Sequence, residues 1–128
     1  MKDSQHTTNN AKRMRDFLKS FIYAIHGLWS GIADQRNLKF QLGVGVIVVG
    51  AVFYLSITAI EWCVILLCIA MVIGLELVNT ALENLVDLVT LERKPLAGKI
   101  KDIAAGAVLI VSILSVIIGV IIFRKYLM

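Results

Sequence analysis

The sequence predicts an all-α integral membrane protein, in which three transmembrane helices follow an amphipathic helix lying on the membrane surface. Composition is one of three observations behind this. Of 128 residues, 59% are hydrophobic and 17% charged, and the mean hydropathy is +0.84. A chain this short has a high surface-to-volume ratio and cannot hide so much apolar side chain from water, so the bilayer is its natural solvent. The second observation is a set of three apolar runs, each able to cross about 30 Å of hydrocarbon as a helix. The third is that most charged residues gather outside those runs, where headgroups and water receive them.

Residues 1–12 are polar and are expected as a flexible tail. Over 13–33, Phe17, Phe21, Ile25, Leu28 and Ile32 recur every three or four positions between charged ones, the period of a helix with one apolar face. Such a helix lies on the inner leaflet with Trp29 at headgroup depth. Its polar face, which includes Tyr23 and His26, either keeps the helix at the interface or lines a site. The first span, 40–60, reads "FQLGVGVIVVGAVFYLSITAI" and holds no charge; its Gly43 and Gly45 read as a helix-packing notch. The second, 62–87, is free of charge from Trp62 to Gly74 and completes its crossing only by continuing through Glu76 towards Leu82. The third, 103–123, reads "IAAGAVLIVSILSVIIGVIIF". A length of roughly 20 residues selects helix over strand in such runs, as does the need to satisfy backbone groups inside lipid. With one proline and no Ser/Gly-rich stretch there is no linker, and 1–128 is a single membrane-embedded domain.

Lys2, Lys12, Arg13, Arg15, Lys19, Arg36 and Lys39 precede the first span, and Arg93, Lys94, Lys99 and Lys101 separate the second from the third. The turn "SITAIEW" between the first two holds Glu61 and no basic residue. By the positive-inside rule the N-terminus and the second connection are cytoplasmic and the turn lies outside, with Arg124 and Lys125 as a small exception. The net charge of +4 is split among segment ends, which suits anionic lipid headgroups and not nucleic acid. Cys63 and Cys68 share one apolar run without a partner segment and read as small apolar residues. His6 and His26 lack metal-ligand spacing, and the polar, basic opening is not that of a signal peptide.

The second span ends in "GLELVNTALENLVDLVTLE", where Glu76, Asn79, Glu83 and Asp87 are spaced three, four and four residues apart. At about 100° per residue they share an arc of roughly 80° on one helix face. A charge at membrane depth costs at least a few kcal/mol, so such groups face protein or water and mark function. Taken alone, Asp87 reads as an ordinary interfacial charge; Glu76 and Asn79 do not. Clustered carboxylates of this kind hold Mg²⁺, which also takes phosphate oxygens and water, and a deeper carboxylate can take a proton from a hydroxyl. Across the loop, Lys101 can neutralise phosphate charge, and Asp102 can orient that lysine or assist the metal. These are the parts of a phosphoryl-transfer site, although neither a G-x-x-x-x-G-K-[ST] loop nor the H-R-D and D-F-G motifs of protein kinases are present.

"ELVNTALENLVDL", followed after a short loop by "AGKIKDIAAGAVL", resembles the prokaryotic diacylglycerol kinase family of small three-span enzymes, and the likeness extends from about Phe17 through "RNLKFQ", "IEW" and the third span. In detail it is nearer the branch that phosphorylates undecaprenol. The resemblance implies a homotrimer in a bacterial cell membrane, with sites shared between subunits, transferring the γ-phosphoryl group of Mg-ATP to a lipid alcohol. It further implies Glu76 as the acceptor of the hydroxyl proton and Glu83 as a metal ligand. Asn79 and Lys101 would contact phosphate, Asp102 would support Lys101, and Asp87 would join the same polar network. Tyr23 would flank the nucleotide, with Glu92, Arg93 and Lys94 near it. Two positions depart from the pattern. Gln35 stands where the family carries a metal-binding Glu, and a neutral amide oxygen binds Mg²⁺ less strongly, with Asp34 adjacent as an alternative ligand; Asp16 stands at a position often held by Arg.

The function expected is therefore an undecaprenol kinase, with a diacylglycerol kinase as the alternative acceptor class. Two rivals from other classes are a small proton or cation channel using the acids as a relay, and a non-catalytic assembly subunit whose polar face joins helices.

Overall fold

The computed structural model describes residues 2–128 as four helices: α1 (Lys2–Asp34), α2 (Arg36–Leu55), α3 (Ala59–Val89) and α4 (Pro95–Leu127). The described residues form two compact units, 2–34 and 35–128. In the first, helix continues through residues 2–12, the stretch expected as a tail, while Met1 lies outside the described residues. Hydroxyls that would compete with the backbone are turned back onto the preceding turn: Thr7 Oγ1 donates to the Asp3 carbonyl at 2.7 Å and Thr8 Oγ1 to that of Ser4 at 2.6 Å. Phe17 and Phe21, one turn apart, meet edge to face at 5.2 Å between ring centroids.

In the second unit, α2, α3 and α4 are each long and apolar enough to cross a membrane. Their boundaries differ from the apolar runs for identifiable reasons. The first span stops at Leu55, short of the expected 60, because Ser56 adopts the left-handed conformation (φ 51°, ψ 51°). Thr58 then caps α3: its hydroxyl accepts from Glu61 N at 3.2 Å while the Glu61 carboxylate accepts from Thr58 N at 3.1 Å, a reciprocal capping box. At the other connection α4 begins at Pro95, whose missing N–H and fixed φ suit a first helical position, so the helix starts well before the apolar run at 103.

The bundle has a turn end, carrying Ser56–Thr58, and a loop end, carrying the connection from α3 to α4. Near the turn end Val52, Ile57, Ile65 and Ile122 form a buried cluster, against which Trp62 and Phe123 pack. Glu61 joins the chain's last turn there: Tyr126 Oη donates to its Oε2 at 2.5 Å, and Lys125 pairs with its Oε1. Along the bundle α3 packs more widely on α4 than on α2. Where α2 crosses α3 the approach is close at Gly45, since a Cβ there would sit 3.3 Å from Ile69 Cγ2, whereas Gly43 faces open space. The expected notch is therefore Gly45 alone. Large apolar side chains such as Val46, Ile47, Phe53, Leu88 and Ile110 are exposed on the outside of the bundle, as suits a lipid surrounding.

Candidate active site

The polar face of α3 is graded by depth. Glu76 and Asn79 are buried, 5% and 7% exposed, with Thr80 at 6% beside them; Glu83 is half-buried and Asp87 exposed. At about 1.5 Å per residue this face runs roughly 16 Å along the helix, from the apolar middle to the loop end. Thr80 returns its hydroxyl to the Glu76 carbonyl at 2.9 Å, so it adds no free polar group to the face.

Three polar contacts organise the site. The first joins α2 to α3: Gln41 Nε2 donates to Glu76 Oε2 at 3.4 Å. The second lies along α3, where Asn79 Nδ2 donates to Glu83 Oε1 at 3.1 Å. The third bridges the loop, Lys101 Nζ to Asp87 Oδ1 at 2.7 Å, with side chains 38% and 47% exposed. Lys101 thus pairs with Asp87, and the expected support from Asp102, which is exposed, is not formed. The reason is geometric: neighbours in sequence on a helix point about 100° apart, while Asp87 stands across the connection.

Two buried acceptors, Gln41 Oε1 and Asn79 Oδ1, have no donor. Glu83 engages one of the two amide hydrogens of Asn79, which leaves the other to donate to a phosphate oxygen and Oδ1 to meet a cation or a hydroxyl. Of the remaining expected site residues, Gln35 is the half-buried residue before α2, without a side-chain capping bond. Glu92 and Lys94 pair with each other at 3.8 Å in the exposed loop, beside exposed Arg93. Tyr23 is exposed on α1, in the other unit. Among the described residues no three His, Cys, Asp or Glu side chains gather around a common point.

A cavity of about 530 Å³ runs between α2, α3 and α4. Val44, Val48, Ile69, Val72 and Val116 are among the apolar side chains along it, and Asn37 and Gln41 of α2 also line it. Through Gln41 the cavity adjoins Glu76. Gln41 did not figure among the site residues expected from sequence, although a lone amide one residue into a charge-free run was a signal available there.

The sequence profile of the prokaryotic diacylglycerol kinases matches residues 22–123. Among similar proteins, the undecaprenol kinase of Bacillus subtilis (strain 168) is 40% identical over 121 residues, which cover 94% of this chain and 96% of that protein. A diacylglycerol kinase of Synechocystis sp. is 43% identical over 105 residues, 81% of this chain and 60% of that protein. The diacylglycerol kinase of Haemophilus influenzae is 30% identical over 107 residues, 83% of this chain and 91% of that protein.

Proposed function

The chain belongs to the prokaryotic diacylglycerol kinase family, and from that premise we propose that it transfers the γ-phosphoryl group of ATP to undecaprenol, giving undecaprenyl phosphate. It is a lipid kinase, which displaces the channel and assembly-subunit readings. The acceptor follows the Bacillus relative, whose match spans nearly the full length of both chains. One observation carries the site: a carboxylate buried inside an apolar helix, held from α2 by an amide that lines an apolar cavity. A lipid alcohol laid along that cavity brings its hydroxyl to Glu76 while its chain stays in hydrocarbon.

Glu76 takes the hydroxyl proton as the alcohol oxygen attacks the γ-phosphorus in line, and ADP leaves. Lys101 lies at the aqueous end of the same face, where its charge offsets that of phosphate; Asp87 holds it there, and positioning and charge neutralisation supply most of the rate. The residues fit Mg²⁺, for Glu83 and the donor-free Asn79 Oδ1 are hard oxygen ligands of the kind it prefers, with Gln35 a further one. Held by these residues, Mg²⁺ would supply neutralisation of phosphate charge. Sites shared between the copies of a homotrimer belong to the same reading. Glu92, Arg93 and Lys94 attend the nucleotide, and Asp102 adjoins Lys101 in the chain without bonding it. The loop end lies on the cytoplasmic side.

The test uses purified protein, labelled ATP and Mg²⁺, with undecaprenol and 1,2-diacylglycerol side by side. Faster labelling of undecaprenol is expected; faster labelling of diacylglycerol reassigns the acceptor to the class that names the Synechocystis and Haemophilus relatives. Glu76→Gln should lower kcat by about 10² to 10⁴, and full activity in that variant removes Glu76 as the base.

A further inference from the structure

Gln41 carries an inference that rests on the reading of Glu76 as proton acceptor and goes beyond it. Its amide meets the buried carboxylate with one atom and leaves the other unused: Nε2 donates to Glu76 Oε2 at 3.4 Å, and Oε1, equally buried, has no donor. A glutamine that served only to join α2 to α3 would have little reason to bury a bare acceptor beside the one group in the site that changes its proton count.

An ionised carboxylate only accepts hydrogen bonds, whereas a protonated one also donates. A fixed donor such as an ammonium or a backbone N–H can still reach the unprotonated oxygen of Glu76 after it takes the substrate proton, but offers the new O–H no acceptor. A primary amide has a donor and an acceptor on one plane, and its terminal torsion is broad and roughly two-fold. Half a turn exchanges them. We propose that Gln41 is a positioning residue for phosphoryl transfer, holding Glu76 in the same orientation in both its ionised and its protonated form by rotating its amide. As the alcohol O–H breaks, its electron pair stays on oxygen and forms the bond to the γ-phosphorus. The bond from phosphorus to the β,γ-bridging oxygen breaks and its pair leaves with ADP. The proton rests on Glu76, which now donates it to Gln41 Oε1, and it passes to water as products depart, restoring the Nε2 bond.

This separates Gln41 from a merely structural contact, because its effect passes through Glu76. Gln41→Leu should lower kcat roughly ten- to a hundredfold while the KM for ATP and the melting temperature stay unchanged. Gln41→His keeps one ring N–H and one ring acceptor in neutral form and should recover most of kcat. Gln41→Asn, polar but one methylene short, should fall like Gln41→Leu and serves as the probe if the leucine variant does not fold. Each is also measured with Glu76→Gln, using labelled phosphate transfer to undecaprenol. There, Gln41→Leu and Gln41→Asn should cost nothing further. An equal cost in both backgrounds, or full kcat in Gln41→Leu and Gln41→Asn, overturns the positioning role and leaves Glu76 as base intact. Full activity in Glu76→Gln alone overturns the base, and the positioning role with it.

Discussion

Lys101 and Asp87 illustrate how little a contact's geometry says about its purpose. Their ion pair is short, yet both side chains are over a third exposed, and pairs of that kind contribute only about 0–1 kcal/mol to stability. Lys101→Met should accordingly leave the unfolding midpoint nearly unchanged while raising the KM for ATP and lowering kcat, measured in the same phosphate-transfer assay; a large loss of stability with normal kinetics would make the pair structural. Visibility in the sequence followed the same energetics. Glu76, Glu83 and Asp87 stood out because a charge in hydrocarbon is costly. Gln41 did not, because an uncharged amide near the start of a span is a smaller anomaly, and its partner lies 35 residues away. The choice of Asp87 over Asp102 by Lys101 depends on how α3 and α4 meet, which no single segment specifies.

Helix identity was written in the apolar runs, whereas helix ends were written in short signals the runs concealed. The T-x-x-E of Thr58 to Glu61 and the proline at 95 both lie in plain view, yet apolar composition carries on through Ile60 and hides the break after Leu55. Continuation of α1 back to Lys2 was hidden in the opposite way, by polar residues whose hydroxyls find partners within the helix itself. At the α2–α3 crossing the spacing is set by a missing side chain. Gly45→Val drives a branched side chain into Ile69, and overpacking of this sort costs about 1–3 kcal/mol. Reversible unfolding in mixed micelles should show that loss, with Gly43→Ala, which meets nothing within 4 Å, as the near-neutral control.

Across the whole bundle the bracing is uneven. α3 and α4 share a long seam, whereas α2 has the lesser contact with α3. At the turn end Val52 and Ile57 anchor α2 in the buried cluster; towards the loop end α2 buries Leu38, and its polar tie to α3 is the long Gln41–Glu76 bond. Regions with fewer buried contacts open at lower free energy. Amide exchange in lipid nanodiscs should therefore be faster over 37–44 of α2 than over 70–80 of α3, and equal protection would indicate that α2 is held as firmly as its neighbours. With the narrower of the two helix contacts, α2 is the cavity wall that a bulky guest should displace first, leaving the α3–α4 seam closed.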